Sequence, residues 1–216
     1  MAMMNIAAPD LNARPMLETL AEAELYFIGH GALNDTLAQL SEDLKRRGIE
    51  YVVIGAVALF AHGLRRFTNN IDIVLTAKGL EGFVTPVTGK APRTLCNYDP
   101  DVTSNRRVRS FPHGISIKIR IAGEYPGDGK PKPVRIPEPS EASTEINGIQ
   151  VVTLEKLVEL KLASGISAPH RLKDLADVQE LIKVRKLQSD FGERLDPSVR
   201  DKFWELLEAV KQNPEE

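Results

Sequence analysis

The chain reads as an α/β (α+β) protein: a small mixed β-sheet with flanking helices, continued by a C-terminal helical part. Three patterns in its 216 residues carry that reading. Residues 51–75 run strand, glycine turn, short helix, basic loop, strand. Residues 114–121, GISIKIRI, alternate apolar and polar without a break, the period of a half-buried strand. Residues 153–211 repeat apolar side chains at helical spacings, divided by turn and cap signals.

Composition sets the class. Hydrophobic residues make up 42% and charged residues 27%, ordinary for a globular chain with room for a real core. A formal net charge of −2 supplies no global field to draw the protein to nucleic acid or a membrane, so any RNA contact must use a local basic patch. The single cysteine, Cys96, excludes an internal disulfide framework and fits a reducing compartment. No apolar run approaches the roughly 18 residues of a membrane helix, and no secretory leader pattern opens the chain. Cytoplasm is the expected location.

Taken in order, residues 1–14 read as a loose arm and residues 16–28 as a short amphipathic helix with Leu17, Leu20 and Leu25 at helical spacings. A stronger helix over 34–47 carries Leu33, Leu37, Leu40 and Leu44 as one stripe, and Gly48 ends it. The apolar run at 51–54 is a strand, stopped by Gly55 where the backbone must turn sharply or approach a ligand. Small apolar residues over 56–62 continue as helix. Ile71, Ile73 and Leu75 then alternate with Asp72, Val74 and Thr76 in a second strand. Residues 78–83 suggest a turn of helix, and 85–105 read as irregular or short-stranded. Arg106, Arg107 and Arg109 form a basic cluster, read either as phosphate contacts or as a charged edge strand that resists aggregation. The Gly- and Pro-rich residues 123–139 are an ordered, rigid loop. A short strand at 149–152 leads to Thr153 as an N-cap and a helix carrying Leu157, Leu160 and Lys161. A helix over 169–184 carries Leu172, Leu175, Val178, Leu181 and Ile182. A last one over 196–211 begins with Asp196 as N-cap and Pro197 in the first turn. The expected organisation is an arm and short helix over 1–30, a core over 31–152 and a helical subdomain over 153–216.

The stretch at 51–75 also has a chemical reading. A Gly-small pair opening a helix, Gly55-Ala56, directs free backbone N–H groups toward a phosphate. One helix and one loop later, positions 70 and 72 share a strand face. Carboxylates so placed share hard divalent cations, which bridge and neutralise a triphosphate. Gly55-Ala56, Arg66-x-Thr68 and Asn70-Ile71-Asp72 together resemble the nucleotidyltransferase superfamily, of polymerase-β-like fold, and within it the toxin-type AbiEii-like bacterial enzymes. Residues 114–139, with Gly123-Glu124 and Pro126-Gly127-Asp128, resemble a bacterial subgroup in which this strand carries the third carboxylate. Lys161 and Arg171-Leu172-Lys173-Asp174 with Asp177 resemble the helical segment that completes the nucleotide site.

The resemblance implies a nucleotidyltransferase fold and an NTP with Mg²⁺, the nucleoside monophosphate passing to tRNA, another RNA or a protein acceptor. It also implies a toxin–antitoxin-like setting with an antitoxin partner. It assigns the catalytic positions to Asn70, Asp72, Lys118 and Asp174, with Asp72 as metal ligand. Gly55, Ala56, Arg66, Thr68, Lys161, Arg171 and Lys173 become nucleotide contacts, Lys161 to phosphate and Asp174 as base or acceptor-orienting group. Read without the resemblance, the 161–177 charges are ordinary helix-surface residues. The chain departs from the family at two of three carboxylates: Asn70, Asp72 and Lys118 sum to zero formal charge where a two-metal site needs about −3. An ion pair between Lys118 and Asp72 is expected, along with impaired or lost two-metal catalysis. The alternative is a non-catalytic protein of the same fold that binds a nucleotide or a partner.

Overall fold

The structure, a computed structural model, describes residues 16–84, 98–100 and 106–213. The expected arm, most of the irregular 85–105 stretch, Cys96 and the last three residues lie outside them.

Among the described residues, seven strands form one mixed sheet. They are β1 (Tyr51–Ile54), β2 (Asn70–Leu75), β3 (Tyr98–Pro100), β4 (Arg107–Ser110), β5 (Ser116–Ile121), β6 (Ser143–Ile146) and β7 (Ile149–Val152), in the order β3-β4-β5-β2-β1-β7-β6. β2 lies antiparallel to β1 and parallel to β5, and β1 lies parallel to β7. α3 (Gly55–Ala61) joins the antiparallel β1 and β2, while the parallel pair β2–β5 needs a crossover, to which α4 (Ala77–Val84) contributes.

Period two divides the central strands between two cores. Tyr51, Val53, Ile71, Ile73, Ile117 and Ile119 face one side and are buried with Leu33, Leu37, Leu40 and Leu44 of α2 (Ala32–Arg46). Val52 and Val74 face the other, against α5 (Leu154–Ser167), α6 (Leu172–Arg185), α7 (Ser189–Glu193) and α8 (Pro197–Gln212). The helical part thus shares one apolar core with the sheet. On this second face the apolar row gives way, toward one end, to Asp72, Asn70 and Lys118, all half-buried.

Several expectations change. In α1 (Met16–Phe27) Leu20 and Leu25 are exposed, and Tyr26 is the buried anchor, packed among Phe27, Phe60 and Phe67. Leu172 is also exposed, because the chain there is leaving the 3-10 turn Pro169–Arg171 and its side chain lies outside the α5–α6 seam. β4 is not an edge, since β3 pairs along its outer side. Thr153 occupies the N-cap of α5 without a side-chain bond, whereas Asp196 caps α8 by accepting from the Ser198 backbone N–H at 2.9 Å. β6 and the short α7 were not anticipated. β6 had a clear signal: Asn147-Gly148, with φ of 51° and 80°, is the two-residue turn that reverses β6 into β7.

Candidate functional site

The site begins where β1 ends. Gly55 has φ of +70°, a left-handed value that favours glycine, and a Cβ there would lie 2.9 Å from Asp72 Oδ2. Residue 55 is therefore glycine for two reasons at once: the turn into α3, and room for the Asp72 carboxylate. Registers carry the row outward. Ile54 pairs with Asp72, Asp72 with Lys118 and Lys118 with Arg107, so positions on four adjacent strands stand level. Asn70 pairs with Ser116, one row along. Thr68 shapes the entry to β2, its hydroxyl accepting from the Asn70 N–H at 3.3 Å.

The expected Lys118–Asp72 ion pair is not formed. Asp72 Oδ2 instead accepts from Asn70 Nδ2 at 2.7 Å, a bond that an aspartate at 70 could not donate when ionised. Lys118 stands beside Asp72 in register yet is in no ion pair among the described residues.

A second group of charges lies across the cleft, between α5 and α6. Lys161 Nζ donates to Asp177 Oδ2 at 2.6 Å and to Asp174 Oδ1 at 3.2 Å. Asp177 also accepts, at both carboxylate oxygens, from Arg66 Nη1, which reaches over from the loop before β2. Asp174 Oδ2 accepts from Ser164 Oγ and from Arg171 Nε, both at 2.7 Å. Lys161, Asp174 and Asp177 are all buried. Burial works to raise the Asp174 pKa, but the Lys161 charge, the Ser164 hydroxyl and Arg171 together outweigh it and hold the carboxyl below its usual range. A carboxylate held ionised in this way is a weak proton acceptor, which counts against Asp174 as a general base. Lys161, neutralised by two acids, is committed to the fold in this arrangement, and Arg66 and Arg171 are each bound to one of the same carboxylates.

The Gly/Pro-rich loop after β5 closes the third side. Its ends are tied by Gly123 N–H to Ile136 O and Ile136 N–H to Glu124 O, each 2.8 Å. Gly127 lies against α5, where a Cβ would be 2.9 Å from the Ser164 carbonyl oxygen. Lys132 Nζ donates to Pro126 O at 2.7 Å and pairs with Asp128, drawing the exposed Asp128 carboxyl below its usual range. The loop is therefore braced, as its composition suggested.

Between these walls lies an open cleft of about 1000 Å³. All eleven residues singled out from the sequence line it: Gly55, Ala56, Arg66, Thr68, Asn70, Asp72, Lys118, Lys161, Arg171, Lys173 and Asp174. Arg120, Tyr125 and Ser164 line it too and were not singled out. Arg120 was legible as the next outward residue after Lys118; Tyr125 and Ser164 had no local signal. Six basic side chains (Arg66, Lys118, Arg120, Lys161, Arg171, Lys173) face four acidic ones (Asp72, Glu124, Asp128, Asp174), so the lining is net cationic.

The donor set does not fit a pair of hard divalent cations. Among the described residues no three His, Cys, Asp or Glu side chains converge as metal ligands. Asp72 is the only carboxylate of the row, and its neighbour in register on β5 is Lys118, not an acid. A cleft of this kind instead suits a polyanion.

No protein-family model matches the sequence, and no curated protein matches it. Solved structures with similar backbones include a candidate nucleotidyltransferase from Helicobacter pylori, 17% identical over 84% of this chain and 93% of that one, with a TM-score of 0.44. Another is JHP933 from Helicobacter pylori, 15% identical over 90% of this chain and 91% of that one, TM-score 0.44. A candidate nucleotidyltransferase from Thermotoga maritima is 19% identical over 70% and 89%, TM-score 0.36. Likenesses this distant assign no activity to this chain.

Proposed function

We propose that the chain is a nucleotidyltransferase-fold protein whose cleft binds a nucleotide, with the two-metal transfer step impaired or lost. One observation carries the reading. The strand row that would hold catalytic metals presents Asp72 bonded to Asn70 and flanked by Lys118, inside a net cationic cleft. The convergence of the glycine turn, the β2–β5 row and the α5–α6 charges on one cleft supports a nucleotide as the ligand, the class that the sequence resemblance implies for all three. The cleft is large enough for a nucleotide, being within the range of small-molecule sites. An RNA end, a protein acceptor or an antitoxin would be further partners at the cleft mouth. A toxin–antitoxin-like role rests on the sequence resemblance alone.

Equilibrium binding of a fluorescent ATP analogue tests this reading. Saturable binding is expected, weakened by about tenfold in Arg120→Glu or Lys173→Glu, since reversing a charge near a phosphate chain removes one attraction and adds one repulsion. Lys211→Glu, on α8 away from the cleft lining, should leave binding unchanged. Absence of saturable binding, or equal binding in all variants, would overturn the proposal.

A further inference from the structure

Resting on the nucleotide reading, we propose that the cleft takes its ligand's phosphate chain without a divalent cation. Lys118 supplies the positive charge at the position where a metal would stand. The ligand class is the metal-free polyphosphate anion: a free nucleoside triphosphate rather than its Mg²⁺ complex.

A lysine paired with Asp72 would be spent; this one is not, since Asp72 Oδ2 accepts from Asn70 and Lys118 is in no ion pair among the described residues. The Nζ of Lys118 therefore has donors to give, and the side chain lines the cleft half-buried. Two residues along the same strand, Arg120 stands on the same face, also in the lining and exposed. Strand spacing sets them about 7 Å apart along β5, a separation that successive groups of a triphosphate can span. The opposite wall adds Lys173, exposed, with no ion pair among the described residues. Three cations from β5 and α6 thus line one cleft, and Asp72, level with Lys118, is the one carboxylate of the strand row. A Mg²⁺ bound in the cleft would be repelled by the same cations. It would also remove about two of the roughly four negative charges by which free ATP is attracted to these cations.

The test is equilibrium binding, read by calorimetry or fluorescence, with two probes: ATP and inorganic tripolyphosphate. Each is measured in EDTA and in excess Mg²⁺. The wild-type chain is expected to bind ATP in EDTA at least as tightly as in Mg²⁺, with Mg²⁺ weakening it about threefold or more. Tripolyphosphate should compete and show the same direction of Mg²⁺ response; failure to compete would overturn recognition through the phosphate chain. Lys118→Gln, close to isosteric and half-buried, should stay folded by circular dichroism and lose about tenfold in affinity; unchanged affinity would overturn the role of Lys118. Asn70→Asp/Lys118→Asp should invert the metal response and bind better with Mg²⁺. A wild-type chain that binds ATP only with Mg²⁺ would overturn this inference while leaving the nucleotide reading intact. No binding of ATP under either condition would overturn both.

Discussion

Replacing Lys161 by methionine separates two accounts of that residue. The sequence resemblance makes it a phosphate contact; the structure makes it the hub of a buried charge cluster. Its ammonium lies 2.6 Å from Asp177 and 3.2 Å from Asp174, and all three side chains are about nine-tenths buried or more. Removing one member of such a cluster leaves buried charge uncompensated, which costs about 3–5 kcal/mol. Here each carboxylate keeps one guanidinium, Arg66 on Asp177 and Arg171 on Asp174, and Asp174 keeps the Ser164 hydroxyl. Both arginines are about a third exposed, so their compensation is partly screened. The loss therefore falls at the low end, about 3 kcal/mol. For a chain of this size that lowers Tm by about 6–12 °C. Chemical denaturation with urea gives the free energy directly. A change below about 1 kcal/mol, with an unchanged Tm and a loss of ATP affinity, would refute the buried-hub account and restore Lys161 to the ligand.

Other outcomes follow from the same geometry. Gly55→Ala forces a left-handed backbone and a methyl 2.9 Å from Asp72 Oδ2, so stability should fall by about 1–2 kcal/mol in urea unfolding; a neutral result would mean the turn is not as described. Asp174 has its pKa lowered from 3.8, so its contribution is complete above that value and is lost as the pH falls through the lower folded-state value. The stability gap between wild type and Asp174→Asn should accordingly be flat from neutral pH to about pH 5 and shrink below about pH 4, whereas a gap that widens with acid would reverse the sign. Tyr26 is 2% exposed, its hydroxyl has no hydrogen-bond partner among the described residues, and burial pushes its pKa to about 12. Tyr26→Phe should raise stability by up to about 1 kcal/mol, and a drop of that size would reveal a partner for the hydroxyl.

Much of this was legible in the sequence, and the reasons differ by element. β1, β2, β5 and β7 are short runs whose alternation or apolarity is set by two-sided burial, so their limits could be read almost to the residue. The α2 stripe was equally plain. The leucine spacing of α1 points to a face that Leu20 and Leu25 do not bury, and an aromatic cluster around Tyr26 does the packing instead. The hairpin signal of Asn147-Gly148 was present and overlooked. The site residues were legible as a set, since each segment carried its own local pattern. Their pairing was not. Arg66 and Asp177 are 111 residues apart, and nothing local says that the arginine would reach that carboxylate, or that Lys161 would be spent between two acids. Nor could the row at Asp72 be anticipated: the choice between Lys118 and Asn70 as its partner depends on side-chain reach at a strand register of two half-buried positions.

A label-transfer assay reads out whether this cleft retains two-metal chemistry. Purified wild-type protein would be given each labelled NTP with Mg²⁺ or Mn²⁺, total RNA and lysate proteins, alongside Asn70→Asp/Lys118→Asp. The account predicts no transfer above background by the wild-type chain, because Asn70, Asp72 and Lys118 supply one carboxylate where two-metal chemistry needs three. Transfer of label by the wild-type chain to any acceptor, abolished by Asp72→Asn, would contradict it.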